Sequence, residues 1–228
     1  MKLLIASSNP HKVQEIIDAF VADAGVGSSG DLPVEVVGLD SLGRHIPEPT
    51  EDQPTFEGNA SIKARYYAQA TGSLVLAEDS GLEVDALDGE PGVRSARYSG
   101  TKGVRGERDL ANNRLLLQRL NSASTRRRTA RFVCAMVMAG ASEECTAEVL
   151  DVVRGVIEGR ILRLDEVADP RYPENGRGKN GFGYDPLFLV PHLDMTTAEL
   201  TPEQKNTISH RGQAARRMWP KICQRSDH

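Results

Sequence analysis

A short apolar run at the N-terminus passes directly into a helical pattern, and this succession constrains the fold more than any other feature of the sequence. Leu3 to Ala6 are apolar, Ser7 to Pro10 are mostly polar, and apolar residues then recur at helical spacing from Val13 to Phe20. Asn9 is a natural N-cap, and Pro10 suits the first helical position. The pattern predicts a strand, a loop and a helix, as in α/β proteins.

The rest of the chain also alternates between strand-like and helical segments. The predicted strands are Val34 to Val37, Leu74 to Ala77, a hairpin element from Val84 to Leu87 with the turn Asp88-Gly89, an antiparallel pair Ala130 to Ala139 and Ala147 to Ile157, and Leu187 to Val190. The predicted helices are Phe56 to Thr71 with Thr55 as cap, Glu107 to Leu120 with an apolar face of Leu110, Leu115, Leu116 and Leu117, one from the capping box Thr201 to Gln204, and Ser209 to Trp219. The predicted loops are Gly25 to Gly30, Ile46 to Pro54 and Gly140 to Glu144. We expect one α/β domain over residues 1–228, with a mixed central sheet and flanking helices.

Composition and charge limit the classes of partner. Hydrophobic residues make up 39% of the 228 residues and charged residues 26%, which is typical of a globular protein. The net charge of −4 does not favour nucleic acid or an anionic membrane as partner, so any polyphosphate needs a local cluster of cations. No apolar run reaches membrane-spanning length, and the N-terminal segment is too short for a signal peptide. We therefore expect a cytoplasmic location.

The cysteines agree with a reducing compartment. Cys134, Cys145 and Cys223 are odd in number and lack metal-type or CxxC spacing, so free thiols are expected. Cys134 is interpreted as a buried structural cysteine. The histidines also lack zinc-type spacing.

Two segments have the composition of a phosphate and metal site. Ser7 to Lys12 joins a strand to a helix start, which binds anions through free N–H groups, although a solvated Lys12 is the ordinary alternative. Glu78 and Asp79 follow a buried strand, and adjacent carboxylates suit Mg²⁺, although a solvated acidic turn is more common. Glu51, or its neighbours Glu48 and Asp52, could supply a second ligand. Asn59 and Lys63, four residues apart, share one helix face.

Two further segments suit recognition of a flat ligand. In Lys179 to Pro186, Phe182 lies between two glycines and offers a stacking face, and Asp185 offers an acceptor for ring N–H groups; a tight turn with a core Phe is the alternative. In Lys205 to Gly212, His210 and Arg211 lie at a helix start, where surface cations oppose the helix dipole. Cations at this end favour a bound anion or carbonyl group.

Together these segments resemble the inosine/xanthosine triphosphate pyrophosphatase family, also called the non-canonical purine NTP pyrophosphatase or Ham1-like family. The resemblance spans nearly the whole chain and rests on LLIASSNPHKVQEI, TFEGNASIKAR, LAEDSGLEVDALDGEPGVRSARYSG, GFGYDPLF and AELTPEQKNTISHRGQA. The chain has EDSG where some members have DDSG, and SSN where others have TGN or TSN; neither change removes a required chemical group. The resemblance implies two lobes around a nucleotide-binding cleft, the fold of the ITPases, and a homodimer.

The resemblance also implies roles for individual residues. Asp79 corresponds to the catalytic carboxylate and, with Glu51, to the Mg²⁺ ligands. Lys205, His210 and Arg211 correspond to residues that close over base and phosphates. The full set that it assigns to substrate binding is Ser7, Ser8, Asn9, Pro10, His11, Lys12, Asn59, Lys63, Ser80, Phe182, Gly183, Tyr184, Asp185, Lys205, His210 and Arg211.

The implied reaction is hydrolysis of dITP, ITP or XTP to the monophosphate and pyrophosphate. A carbonyl at the 6-position of the purine would accept hydrogen bonds from protein donors. The 6-amino group of adenine would instead face a protein donor, and both donors would lack an acceptor. Three alternatives stay open: a Maf-type pyrophosphatase with other base preferences, a catalytically silent nucleotide sensor, and a nucleic-acid-binding module. The GFGYD and SHRG elements disfavour the first, the intact Asp79 and Lys12 the second, and the acidic net charge the third.

Overall fold

The computed structural model describes residues 1–25, 32–123, 127–141 and 146–226. The strands within this part of the chain are β1 (Lys2–Ile5), β2 (Glu35–Gly38), β3 (Leu74–Val84), β4 (Thr129–Ala141), β5 (Ala147–Ile161), β6 (Phe188–Val190) and β7 (Met195–Thr196). The α-helices are α1 (Pro10–Ala24), α2 (Phe56–Thr71), α3 (Arg105–Ser122), α4 (Pro202–Ile208) and α5 (His210–Ser226). Short 3₁₀ turns occur at Leu39–Leu42, Asp85–Leu87, Gly92–Arg97 and Pro173–Asn175. None of the described helices is long and apolar enough to cross a membrane.

The strands form a mixed sheet, which confirms the predicted fold class. Their order is β2-β1-β3-β4-β5-β6-β7. β1 pairs in parallel with β2 and with β3, whereas β6 pairs antiparallel with β5 and with β7. The predicted cleft and the single domain over residues 1–228 stay predictions.

The chain divides into two compact units, and β3, β4 and β5 each contribute to both. Unit 1 comprises Met1–Ser80, Cys134–Gly155 and Ser209–His228, and unit 2 comprises Gly81–Val133 and Val156–Ile208. In unit 1, one apolar cluster joins β1, α1, β4 and α5, and the rings of Phe20 and Trp219 stack in it at 4.9 Å. In unit 2, the main cluster joins α3 to β6, where the rings of Phe132 and Phe188 lie 4.5 Å apart.

Helix termini agree well with the capping signals of the sequence. Asn9 caps α1 with Pro10 in the first turn, and Thr55 caps α2, whose observed bounds equal the predicted ones. The capping box before α4 is formed in both directions: Thr201 N–H donates to Gln204 Oε1 at 3.0 Å, and Gln204 N–H donates to Thr201 Oγ1 at 3.2 Å. Ser209 Oγ accepts the Gly212 N–H at 3.0 Å at the start of α5.

The predicted end of the third strand at Ala77 is wrong. β3 continues to Val84, so Glu78, Asp79 and Ser80 lie within the strand and not in a turn after it. Leu82 and Val84 are buried and continue the apolar pattern beyond the acidic residues. The carboxylates do not end the strand because both have partners inside the protein, as described below.

Other boundaries moved by smaller amounts. Asp85–Leu87 forms a 3₁₀ turn and not a strand, although Glu83 and Pro91 form an antiparallel bridge across the predicted reversal. In α3, Leu110 of the predicted apolar face is exposed, and the first buried residue is Asn112. β2 and β6 begin one residue later than predicted, and α3, β4, β5 and α5 extend beyond their predicted bounds. Residues 26–30 and 142–144 of the predicted loops, and Cys145, lie outside the described residues.

Gly155 of β5 provides a test of how closely the start of α5 is packed. A Cβ on residue 155 would lie 2.0 Å from the His210 carbonyl oxygen and 2.7 Å from the Ala214 nitrogen, and backbone atoms cannot move aside cheaply. We therefore expect Gly155→Ala to lower the free energy of unfolding by about 1–3 kcal/mol in urea titrations. Gly106→Ala is the control, because Gly106 is helical with open space around its Cβ position, and it should be neutral or slightly stabilising. A Gly155→Ala variant as stable as the wild type would contradict this packing.

Candidate active site

A buried carboxylate in β3 holds two cations in unit 1. The Glu78 side chain is 2% exposed, and its Oε1 lies 2.5 Å from Lys12 Nζ at the start of α1. Its Oε2 lies 3.4 Å from a guanidinium nitrogen of Arg211 in the first turn of α5. Burial opposes ionisation of Glu78, but the charges of Arg211 and Lys12 outweigh it and hold the pKa of Glu78 well below its ordinary value. Glu78 is therefore an anion at neutral pH and joins β3, α1 and α5.

Arg211 is enclosed by partners of opposite charge. Its side chain is 1% exposed, it forms an ion pair with Glu15 of α1, and it donates to Ser80 Oγ at 2.9 Å. The carboxylates raise the pKa of Arg211 against the effect of burial. His210 and Arg211 are buried and are not surface cations, and protein carboxylates supply an anion for Arg211. The predicted contact of these residues with a ligand stays a prediction.

Cys134 of β4 completes the surroundings of Glu78. Its thiol donates to Glu78 Oε2 at 3.4 Å. Burial and the adjacent negative charge raise the pKa of the Cys134 thiol well above its ordinary value. The prediction of a buried structural cysteine is confirmed, and the thiol has no nucleophilic character at neutral pH.

Asp79 lies next to Glu78 in the chain, but its pKa is shifted in the opposite direction. Its Oδ2 accepts from Asn59 Nδ2 at 3.1 Å, and its Oδ1 accepts from the Ser80 N–H at 3.0 Å. Asn59 is fixed in this orientation because its Oδ1 accepts the Gln53 N–H at 2.9 Å. Burial raises the pKa of Asp79 to about 6; the Asn59 hydrogen bond and the charge of Lys63 oppose this shift but do not cancel it.

Lys63 lies among the acidic groups on the same face of α2 as Asn59. Its Nζ is 2.9 Å from Glu51 Oε1 and donates to the Glu78 carbonyl oxygen at 3.2 Å. Burial lowers the pKa of Lys63, but attraction and hydrogen bonding to Glu51 reverse the effect and raise it. The structure thus brings Glu51, Asn59 and Lys63 together with the acidic pair of β3.

The loop before α1 has its own local hydrogen bonds. Ser7 Oγ accepts the Asn9 N–H at 3.2 Å, and Asn9 Oδ1 accepts the His11 N–H at 3.1 Å. Ser8 Oγ donates to Glu48 Oε1 at 2.7 Å, which brings a second acid of the 46–54 loop to this segment. Ser8, Pro10 and His11 are exposed, and Lys12 points to Glu78. The residues of this segment that are predicted to bind phosphate thus form a partly exposed loop and helix start beside the buried ion pairs of Glu78.

In unit 2, Asp185 is the centre of a second network. Its Oδ2 accepts from the Phe182 N–H and from Lys205 Nζ, both at 2.7 Å, and its Oδ1 accepts from Thr197 Oγ1 at 2.8 Å. Asp185 and Lys205 are buried. A Cβ on Gly181, whose φ is +75°, would lie 2.1 Å from Asp185 Oδ2, so this turn requires glycine.

The remaining members of the predicted unit 2 set differ in accessibility. Phe182 is partly exposed, whereas Tyr184 is buried and its hydroxyl donates to the Ser95 carbonyl oxygen at 2.9 Å. Burial raises the pKa of Tyr184, which remains neutral. Tyr184 therefore supports the loop through its contact with Ser95, and the Phe182 ring is the accessible aromatic group of the segment.

Helix α3 contributes three residues that the sequence analysis did not identify. The Arg105 guanidinium lies 4.2 Å from the centroid of the Phe182 ring. Asp109 accepts the Gly183 N–H at 3.0 Å, and Asn113 donates to the Gly183 carbonyl oxygen at 3.2 Å. The signal for these residues is their spacing of four, which places polar side chains on one helix face.

The acidic residues of unit 1 offer the oxygen ligands that Mg²⁺ prefers. Mg²⁺ is usually held by one or two protein carboxylates, with waters and substrate phosphates as further ligands. Asp79 and Glu51 supply such oxygens, and the raised pKa of Asp79 indicates a carboxylate whose charge a cation would stabilise. In the described ranges, no group of three or more His, Cys, Asp or Glu side chains could hold a metal by itself.

The mixed sheet, with the strand, loop and helix at its start, defines an α/β protein. Residues 3–221 match the sequence profile described as the Ham1 family. The chain belongs to this family, which confirms the resemblance found in the motifs.

Relatives are similar to this protein in sequence over almost the whole length of the chain. A protein of Exiguobacterium sp. named dITP/XTP pyrophosphatase is 45% identical, with 97% of each chain covered. A solved structure of a HAM1 protein from Coxiella burnetii has a TM-score of 0.78 and 34% identity, covering 98% of this chain and 99% of that one. A structure from Mycobacterium abscessus, titled nucleoside-triphosphatase / dITP/XTP pyrophosphatase, has a TM-score of 0.67 and 40% identity, covering 97% and 100%.

Replacing Glu78 tests the buried ion pairs. In Glu78→Gln, Lys12 loses its carboxylate and Arg211 loses one of two, so we expect a loss of about 3 kcal/mol or more in the free energy of unfolding at pH 7. Because the folded-state pKa of Glu78 is depressed, its stabilisation is present above its ordinary value of 4.5 and is lost as the pH falls through the folded-state value. The difference between the two proteins should therefore shrink in acid. Glu35→Gln, which removes an exposed pair with Lys2, should cost less than about 1 kcal/mol. Equal small losses in both variants would contradict the role of Glu78.

The raised pKa of Asp79 predicts an opposite dependence on pH. The protonated form is favoured in the folded state, so this contribution to stability is full below the ordinary value of 3.8 and is lost as pH rises through about 6. Relative to Asp79→Asn, which cannot titrate, the wild type should lose about 2 kcal/mol between pH 4 and pH 7. The measurement is urea unfolding in EDTA at both pH values, with the exposed Asp40→Asn as control. Parallel pH curves for wild type and Asp79→Asn would rule out the shift.

Proposed function

We propose that the protein hydrolyses the non-canonical purine nucleoside triphosphates dITP, ITP and XTP to the monophosphate and pyrophosphate. This reaction would clear them from the nucleotide pool before they enter DNA or RNA. The observation that carries the proposal is Asp79, a buried carboxylate with a pKa of about 6 beside Lys63 in a Ham1-family chain. The name dITP/XTP pyrophosphatase, printed for the Exiguobacterium relative, supports the same activity.

Asp79 serves as the catalytic carboxylate in this proposal. A base with a pKa near 6 is largely ionised at neutral pH and can accept the proton of a water that attacks the α-phosphorus. The hydrogen bond from Asn59 holds the carboxylate in one orientation. Mg²⁺ held by Asp79 and Glu51 would lower the pKa of the attacking water and neutralise phosphate charge. Glu51 would then exchange part of its interaction with Lys63 for the metal.

The lysines would stabilise the charge of the pyrophosphate leaving group. Lys12 and Lys63 each form an ion pair with a carboxylate, at 2.5 Å and 2.9 Å, so phosphate oxygens would share or replace existing partners. Ser7 to His11 would add hydroxyl and N–H donors at the positive end of α1. Arg211 would act mainly through the groups that it holds, Glu78 and Ser80, because its side chain is buried.

Recognition of the base would use the purine 6-position. Inosine and xanthosine carry a carbonyl there, which donors from the loop around Phe182 could satisfy, and Phe182 would stack on the ring. Lys205 and Asp185 would support this loop through their buried ion pair. Adenine would place its amino group against a donor, and an unsatisfied buried group costs about 1–3 kcal/mol. Guanine has the carbonyl and must be refused through its 2-amino group.

Assembly and location are proposed from the family resemblance. We propose a homodimer, in line with the family pattern. We propose a cytoplasmic location, because the nucleotide pool is found there and because Cys134 is a free thiol.

A direct test is release of pyrophosphate from a panel of nucleotides. Wild-type protein with Mg²⁺ should form pyrophosphate from ITP, dITP and XTP, much less from ATP and GTP, and almost none in EDTA, since the reaction needs the metal. Pyrophosphate and orthophosphate are scored separately. Orthophosphate as the only product would reject the proposal, and release of pyrophosphate with a preference for other bases would favour a Maf-type enzyme.

The same assay tests the role of Asp79. Asp79→Asn should lower kcat for ITP by about 100-fold or more, because the proton acceptor is lost, while ITP binding remains measurable. Asp40→Asn, an exposed change in unit 1, should have wild-type turnover. Full turnover in Asp79→Asn would remove Asp79 from the mechanism, and binding of ITP without turnover in the wild type would favour the nucleotide sensor.

A further inference from the structure

Arg105, the first residue of α3, covers the aromatic ring expected to meet the base. Its guanidinium carbon lies 4.2 Å from the centroid of Phe182, within the range of a cation–π contact. The Arg105 side chain is 37% exposed, so a ligand can reach it. Arg105 lies outside all the motifs on which the family resemblance rests.

The position of Arg105 is fixed by the same helix face that holds the Phe182 loop. Four residues further along α3, Asp109 lies 3.7 Å from the Arg105 guanidinium and accepts the Gly183 N–H at 3.0 Å. One turn later, Asn113 donates to the Gly183 carbonyl oxygen at 3.2 Å. The guanidinium and the ring are therefore attached to one rigid element and not to two independent loops.

The Arg105 donors are available to a ligand. The Asp109 contact at 3.7 Å is longer than a hydrogen bond, and within residues 1–25, 32–123, 127–141 and 146–226 no hydrogen bond from the Arg105 guanidinium is found. A guanidinium carries five N–H donors. Lys205, the other cation near the ring at 5.1 Å, is instead in a buried ion pair with Asp185.

A purely structural role explains Arg105 poorly. A cation in the first turn of a helix faces the positive end of the helix dipole, where an acidic residue would stabilise α3. An exposed ion pair such as that with Asp109 contributes little in return. An arginine at this position therefore does not stabilise α3, but it can donate hydrogen bonds to a ligand that carries acceptors.

We propose that Arg105 is a specificity-determining residue, whose exposed guanidinium leaves the face of Phe182 when a 6-oxopurine stacks there and donates two hydrogen bonds to the O6 and N7 acceptors of that base. Arginine reads these two atoms of guanine in a bidentate manner in protein–nucleic acid complexes. Hypoxanthine and xanthine present the same pair of acceptors, whereas adenine presents a donor at the 6-position. Arg105 thus favours 6-oxopurines over adenine and does not separate inosine from guanosine. This inference rests on the proposed function and adds to it the residue that reads the purine edge.

The test compares substrates in Arg105→Ala, Arg105→Lys and the control Arg108→Ala, an exposed arginine three residues further along α3. In Arg105→Ala, kcat/KM for ITP and GTP should each fall by about tenfold, mostly through KM, while that for ATP changes less than about twofold. Arg105→Lys keeps the charge but loses the planar pair of donors, so it should not restore the ratio of ITP to ATP. Arg108→Ala should match the wild type for all three substrates.

Two results would overturn the inference: equal losses of kcat/KM for ITP and ATP in Arg105→Ala, or a wild-type kcat/KM for ITP in that variant with a wild-type melting temperature. Failure of the proposed function is recognised separately, because the wild type would then release no pyrophosphate from ITP. In that case the same variants are compared by the binding of ITP and ATP. Equal effects on both affinities would overturn the role of Arg105, and a selective loss for ITP would support it.

Discussion

The organisation of unit 1 depends on one buried anion. Glu78 would be strongly destabilised inside the protein if it had no partners, since removing an ion from water costs several kcal/mol. Lys12 from α1 and Arg211 from α5 supply the compensating charges, and Cys134 from β4 donates to the same carboxylate. A chain in which either helix start moved away would leave a charge uncompensated in the interior. The pairing therefore defines where the two helix starts lie relative to β3.

The adjacent residues Glu78 and Asp79 show how environment separates two like groups. Successive side chains of a strand point to opposite faces, so the two carboxylates meet different neighbours. Glu78 has two cations in contact and stays ionised, whereas Asp79 accepts hydrogen bonds from the Asn59 side chain and the Ser80 N–H, and burial raises its pKa to about 6. Pairs of carboxylates whose environments separate their pKa values in this way are also found in characterised enzymes. The charge of Glu78 also adds to the raised pKa of Asp79.

The sequence predicted local features well and long-range electrostatics poorly. The bounds of α2 follow from Thr55 and Gly72, and the reciprocal bonds of Thr201 and Gln204 follow from a four-residue pattern, because each depends on neighbours in the chain. The end assigned to β3 at Ala77 was wrong because the partners of Glu78 are 66 and 133 residues away in the sequence. The same distance hid the burial of Arg211, whose carboxylate partner Glu15 lies at the other end of the chain.

The residues of α3 that support the loop around Phe182 were not visible in the sequence motifs. GFGYDP identifies Phe182 and Asp185, but the helix that holds this loop lies some 70 residues earlier and contributes single polar residues at intervals of four. Asp109 and Asn113 bind backbone atoms of the loop, so their contacts depend on the fold and leave no local pattern beyond that spacing. Arg105 lies on the same helix face at the exposed start of α3, where an arginine does not stabilise the helix. Replacing the first residue of this helix can therefore change what covers Phe182 while the motifs that support the loop stay intact.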